Sequence, residues 1–285
     1  MKVTTKRRIK IVADSSADIT ALEGVDFGFA PLKIITAENE YIDNSELDAD
    51  KMAVELHSYK GKSSTSCPNA ADWLEAFGDA ELIFCVTITA TLSGSYNSAM
   101  IAKRDYEEAH PDRKVFVFNS LTAGPEIGLM IEKLCELVLA EKEFEEICTA
   151  VEKYSKRTGL LFVLESLKNL ANNGRVSPIV AKMTGILGIR LVGKASERGD
   201  LEPLNKCRGE RKTIETVIEQ LAANGYDGGK IRIGHCMGES AANGIKSLVL
   251  EKYPSAEITV YNCRGLCSFY AEKGGVLIGF EKKGI

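Results

Sequence analysis

The sequence predicts an α/β protein of two domains, a parallel-sheet N-terminal domain over 1–164 and a mixed-sheet α/β domain over 165–285. Three observations carry this. Apolar runs of strand length at 81–87, 114–119 and 158–164 are separated by helical patterns at 96–109 and 126–154, an alternation that builds a parallel sheet covered on both faces. After Glu165 the character changes to the turn-rich Asn172-Asn173-Gly174-Arg175-Val176-Ser177-Pro178, so the boundary is set at 164. At 285 residues the chain also exceeds the usual size of one domain.

Taken in order, 8–13 reads as a strand that ends on Asp14-Ser15-Ser16, the position that carries function in open α/β sheets and also a common helix cap. A second strand is expected at 29–35, and Met52, Leu56 and Tyr59 give 48–59 a helical period. Ser63-Ser64-Thr65-Ser66-Cys67-Pro68 precedes a helix marked by Trp73, Leu74 and Phe77, with Pro68 suited to its first turn. The hydroxyls there either cap that helix or serve as spare donors. The run at 84–90 ends in Thr91-Leu92-Ser93-Gly94-Ser95-Tyr96-Asn97, where a strand end, hydroxyls and a helix start aim donors at one point and suit an anion. Asn119-Ser120-Leu121-Thr122-Ala123-Gly124 repeats the theme. In the second domain Gly199-Asp200 reads as a hairpin turn between 189–195 and 201–207, followed by helices at 208–223 and 239–252 and strands at 230–235, 257–261 and 276–280.

Composition narrows the function classes. A hydrophobic share of 45%, a charged share of 27% and a net charge of −4 describe an ordinary globular chain with no general attraction to nucleic acid or acidic membranes. The eight cysteines sit mostly in apolar segments without a CxxC pair, as expected of reduced thiols, and Cys263 and Cys267 alone lack the further ligands of a zinc site. The apolar run after the basic N-terminus is short and nothing approaches a membrane span, which places the protein in the cytoplasm.

Enzyme motifs fail on spacing. Ser93 has Thr91 and Ser95 where a nucleophile elbow needs glycines. His235 and Cys236 are strand neighbours and so point to opposite faces. The segment 238–247 resembles a phosphate loop, yet Lys246 does not directly follow Gly244. No catalytic residue, metal or cofactor is assigned. Hydroxyls, glycines and helix starts bind an anion well and transform it poorly.

Asp14-Ser15-Ser16, Thr65-Ser66-Cys67-Pro68, Leu92-Ser93-Gly94-Ser95-Tyr96-Asn97, Ser120-Leu121-Thr122-Ala123, Gly174-Arg175-Val176-Ser177 and Lys206-Cys207-Arg208-Gly209 occur in that order. Together they resemble the DegV family of bacterial fatty-acid-binding proteins over nearly the whole chain. The resemblance implies a two-domain DegV-like (EDD) fold that encloses a long-chain fatty acid and is itself no enzyme. It places Thr65, Ser66 and Ser93 on the carboxylate, to which Ser95 is added on its position. Family members that serve a fatty acid kinase present the acid to a separate ATP-binding protein, which makes acyl phosphate for phospholipid synthesis. Arg175 and Arg208 fall where the family's basic residues act at the carboxylate mouth or the kinase contact. The sequence departs from the family in having Cys67 where Gln is common and Tyr270 near a histidine position. Tyr270 can donate a hydrogen bond to the carboxylate but brings no positive charge.

A buried acyl tail contributes about 0.8 kcal/mol per methylene, so some fourteen methylenes give about 11 kcal/mol before ordering costs. The aliphatic run 179–191 is the expected tail lining. The alternative is an enzyme for a small phosphorylated or carboxylated metabolite with Asp14 as acid or base. A dry aliphatic tunnel behind Ser93 favours the lipid, and a wet cleft converging on Asp14 favours the enzyme.

Overall fold

The computed structural model describes residues 7–181 and 188–283. In chain order the first half holds β1 (Ile9–Asp14), β2 (Asp26–Ala30), β3 (Lys33–Ile35), β4 (Glu40–Ile42), α1 (Ala49–Ser58), β5 (Ser64–Ser66), α2 (Ala70–Phe77), β6 (Leu82–Thr87), α3 (Ser95–Ala109), β7 (Lys114–Asn119), α4 (Pro125–Leu139) and α5 (Phe144–Ser155). The second half holds β8 (Thr158–Leu164), α6 (Lys168–Asn172), α7 (Pro178–Ala181), β9 (Ile189–Ala195), β10 (Leu201–Arg208), α8 (Glu210–Ala223), β11 (Lys230–Cys236), α9 (Glu239–Lys252), β12 (Glu257–Asn262), α10 (Gly265–Ala271) and β13 (Gly275–Glu281).

A parallel sheet of order β2-β1-β6-β7 forms from the first half. Its strands are apolar at successive positions because both faces are covered. Val12, Ile83 and Cys85 pack on Trp73 and Phe77 of α2 and Ala99 of α3. On the other face Ile11, Phe84 and Val86 pack on Ile127 and Met130 of α4 and Ile147 of α5. The second sheet, β10-β9-β8-β13-β11-β12, is mixed, and only its β11–β12 pair is parallel. Leu161, Val163, Ile233 and Ile278 face α8 and α9.

Between the sheets runs α4, which touches β1 and β6 on one side and β8, β11 and β13 on the other. Its first seven residues, from Pro125 to Ile131, are all buried; six are uncharged, and the seventh, Glu126, accepts a hydrogen bond from Thr158. Its N-terminus lies directly on β13, where a Cβ at Gly279 would come within 2.5 Å of the Glu126 backbone nitrogen. A third, antiparallel sheet, β4-β3-β5, sits beside α10.

Four expectations are corrected. β8 pairs with β9 and β13, so the division between the sheets falls between α5 and β8 and not at 164. The strand expected at 29–35 is two strands of different sheets, broken at Pro31, which has no N–H for a ladder. The helical pattern 126–154 is two helices separated around Glu141, whose φ of 55° is left-handed. The helix after Pro68 starts at Ala70 with Asn69 as its cap, in a capping box with Asp72. The preceding hydroxyls are therefore not its cap; Thr65 and Ser66 lie on β5. The hairpin at Gly199-Asp200 joins β9 and β10 as expected, with Gly199 at φ 84°.

Candidate ligand cavity

A cavity of about 330 Å³ lies between the two sheets, within the size range of small-molecule sites. One end is polar. Thr65, Ser66, Ser93, Gly94, Arg175 and Tyr270 line it there, brought from β5, the start of α3, the segment after α6, and α10. β5 approaches α3 closely enough that a Cβ on Gly94 would stand 3.1 Å from Cys67 Sγ. Ser66 and Gly94 are exposed, so the polar end is the end that reaches solvent.

The donors at this end are held by one another. Thr65 Oγ1 and the Tyr270 hydroxyl share a hydrogen bond of 2.7 Å. The Ser95 N–H donates to Ser93 Oγ at 3.3 Å, and α3 has no side-chain cap, so the first turn of a fifteen-residue helix presents its N-terminal dipole beside Ser93. Arg175 donates through Nε to Leu92 O at 3.1 Å and through Nη1 to Asn173 O at 2.6 Å. Those bonds use two of the five guanidinium N–H donors. Burial pushes the Tyr270 phenol above its ordinary pKa, opposed by the Thr65 hydrogen bond and the nearby Arg175 charge. The phenol accordingly stays protonated at neutral pH and keeps its donor.

Behind this end the lining is aliphatic. β8 contributes Leu160, Phe162 and Leu164, alternate residues on one face of the strand. Leu32, Ile88, Leu170, Leu201, Leu266 and Leu277 close the remaining sides. Phe162 lies across Gly193 on the neighbouring strand, where a Cβ would meet its ring at 2.3 Å, so glycine lets the ring lie flat on the sheet. Of the expected lining at 179–191, Ile179 is 81% exposed, Leu191 is buried against Leu164 and Leu170 without itself lining the cavity, and 182–187 lie outside the described residues. The overlooked signal was the i, i+2, i+4 series of β8, which as a continuous apolar run looks like any buried strand.

Three other expected site residues stand elsewhere. Ser95 is fully buried and its Oγ donates to Asp14 Oδ2 at 2.6 Å, so its hydroxyl is spent in the fold and only its backbone lies near the cavity. Arg208 is exposed at the end of β10 and does not line the cavity. Asp14 is 1% exposed and also outside the lining. It accepts from the Ser16 backbone and hydroxyl and from the Ile88 N–H at 2.9 Å. Burial raises its pKa against these hydrogen bonds. A carboxylate engaged in this way ties strand ends together and reaches no substrate, which removes the residue on which the enzyme alternative depended.

Residues 8–283 match the family model described as "Uncharacterised protein, DegV family". The chain belongs to the DegV family. A DegV domain-containing protein of Streptococcus pneumoniae is 42% identical over 276 residues, which are 95% of this chain and 98% of that protein. Among solved structures, a DegV family protein from Eubacterium eligens loaded with heptadecanoic acid has a TM-score of 0.94 at 44% identity, covering 96% of this chain and 100% of that one. The Fatty Acid Kinase (Fak) B3 protein of Streptococcus pneumoniae loaded with linoleic acid has a TM-score of 0.94 at 42% identity, covering 96% and 99%. Among the described residues of this DegV protein no helix is long and apolar enough to cross a membrane, and no cluster of three or more His, Cys, Asp or Glu side chains suits a metal ion.

Proposed function

We infer that this protein binds a long-chain fatty acid and presents it, in the cytoplasm, to a separate ATP-dependent fatty acid kinase. The observation that carries the reading is the division of one cavity into a hydroxyl-and-arginine mouth and an aliphatic body, in a chain similar to proteins loaded with heptadecanoic and linoleic acids. The two parts do different work. Desolvation of the tail supplies most of the affinity, at about 0.8 kcal/mol per methylene. The mouth offsets the penalty of drawing a carboxylate partly out of water, which costs several kcal/mol unless donors replace the lost hydration.

In this reading Ser66 and Ser93 donate to the carboxylate, the Thr65–Tyr270 pair adds the one hydroxyl proton that their mutual hydrogen bond leaves over, and Arg175 supplies the positive charge. Ser95 contributes its position at the helix start and not its hydroxyl. The partly exposed mouth leaves the carboxylate oxygen, which becomes the phosphoryl acceptor, accessible to a second protein. Arg208 is assigned to the kinase contact because it is exposed and outside the cavity. The N-terminal portion then supplies most of the carboxylate motifs and the C-terminal portion much of the acyl wall. The ligand is the fatty acid itself, and the reading invokes no further cofactor.

The test is mass spectrometry of the lipid released on denaturing protein purified from a bacterial host. Long-chain acid at close to one equivalent is expected. Preparations that contain none, and that bind none when fatty acid is added back, overturn the reading.

A further inference from the structure

A second hollow, a groove of about 1330 Å³, lies against the far end of the acyl cavity. Lys156, Lys194, Arg198, Glu202 and Lys282 line it, so its character is that of charged surface. Among the described residues, Leu160 is the one side chain that lines both hollows. Elsewhere the lining changes over within two residues of chain. Ala123 faces the cavity and Leu121 the groove, and Leu201 faces the cavity and Glu202 the groove. The partition is therefore about one side chain thick.

The row along β8 shows what the partition separates. Leu164 ends β8 where the chain turns into α6 towards Arg175, and it packs with Leu170 and Tyr270. Phe162 and Leu160 follow on the same face, placing Leu160 about 13 Å farther along the strand. The next residue in the row is Thr158, which lines the groove and donates to the buried Glu126 carboxylate at 2.7 Å. Apolar lining ends at Leu160 and a polar pair begins directly behind it. A methyl terminus pushed past this point would leave hydrocarbon for a hydroxyl and a carboxyl, and would gain nothing from burial.

We propose that Leu160 sets the longest acyl chain the protein accepts. The proposal rests on the fatty-acid reading above. Truncating Leu160 joins cavity and groove, so longer chains fit, and a chain ending in a hydroxyl finds Thr158 and Glu126 as partners. Enlarging it shortens the cavity.

The experiment is competition of straight-chain acids of fourteen to twenty-two carbons, and of their ω-hydroxy counterparts, against a fluorescent fatty acid. Wild type, Leu160→Ala, Leu160→Val and Leu160→Phe are compared, each checked for fold by circular dichroism. The chain length at which affinity falls is expected to rise by two or more carbons in the Ala variant and to fall in the Phe variant. ω-Hydroxy acids of twenty carbons or more are expected to bind the Ala variant about tenfold tighter than wild type. If the Ala variant does not fold, the Val variant is expected to show the smaller upward shift. An unchanged length profile in folded variants overturns the proposal while leaving fatty-acid binding intact. Failure of wild type to bind any acid in the series overturns the binding reading, and Leu160's role with it.

Discussion

Two polar clusters of similar composition stand a few residues apart in this protein, and they have opposite fates. Around Asp14 the hydroxyls of Ser16 and Ser95 and the N–H of Ile88 turn inward onto one carboxylate, with Asp14 1% exposed. Around Thr65 the hydroxyls of Ser66, Ser93 and Tyr270 line a cavity with Arg175 beside them. Both clusters draw on serines at strand ends, and Ser93 and Ser95 are separated by one glycine. The first has its acceptor built in, whereas the second has donors and a cation facing a space where an acceptor fits. A cluster rich in donors is a binding site when the fold supplies too few acceptors, and a staple when it supplies enough.

That contrast can be broken in three places. Asp14→Ala leaves several buried donors without an acceptor, at about 1–3 kcal/mol each before relaxation. A loss of about 3 kcal/mol is expected in urea denaturation, with fatty-acid affinity of the folded fraction little changed; a normal midpoint with lost binding would reverse the assignment of the two clusters. Arg175→Ala removes the positive charge from the mouth and should weaken fatty-acid binding about a hundredfold, or ~2.7 kcal/mol, measured by displacement titration. An equally large fall in thermal midpoint without a change in affinity would make Arg175 a structural clamp on Leu92.

The third test uses pH. The inward cluster continues to Asp18, which accepts from the Arg264 N–H at 2.9 Å and lies against Asp43 and the thiols of Cys263 and Cys267. Burial, then repulsion from Asp43, raises its pKa from 3.8 to about 7. Between those values the folded protein holds a proton that the unfolded chain has released. Stability therefore falls as pH rises through this window and levels off above it, a change of about 2 kcal/mol for one group between pH 5 and 7. Asp18→Asn keeps an acceptor, tolerates the left-handed φ of 56°, and should flatten that part of the pH–stability profile; an unchanged slope would assign the proton elsewhere.

Most of the long elements were legible in the sequence, because β6, β7, α3 and α8 each announce themselves by local period and by their end residues. The placement of β8 was not, since a strand's choice between two sheets is a nonlocal pairing with no local mark. Nor was β5, whose three polar residues have no apolar alternation to betray them. At the site, Thr65, Ser66, Ser93, Arg175 and Tyr270 line one cavity, whereas Ser95 could not be told from Ser93 by composition. What separates those two serines is direction, fixed by where α3 begins and by the position of Asp14 across the sheet. The aliphatic wall from β8 was not legible either: Leu160, Phe162 and Leu164 line the cavity, but a continuous apolar strand does not show which of its faces looks inward.

The helix between the sheets bears on how a ligand could enter. Swinging the halves apart like a book would strip solvent-free contacts from the seven consecutive buried residues of α4, at about 1.5–3 kcal/mol for each large side chain exposed. The rim at the mouth is far cheaper to move, since β5 is a three-residue edge strand and Ser66 and Gly94 already meet solvent. A ligand that reached the cavity through this rim would therefore disturb far less buried surface than one that entered by separation of the two sheets.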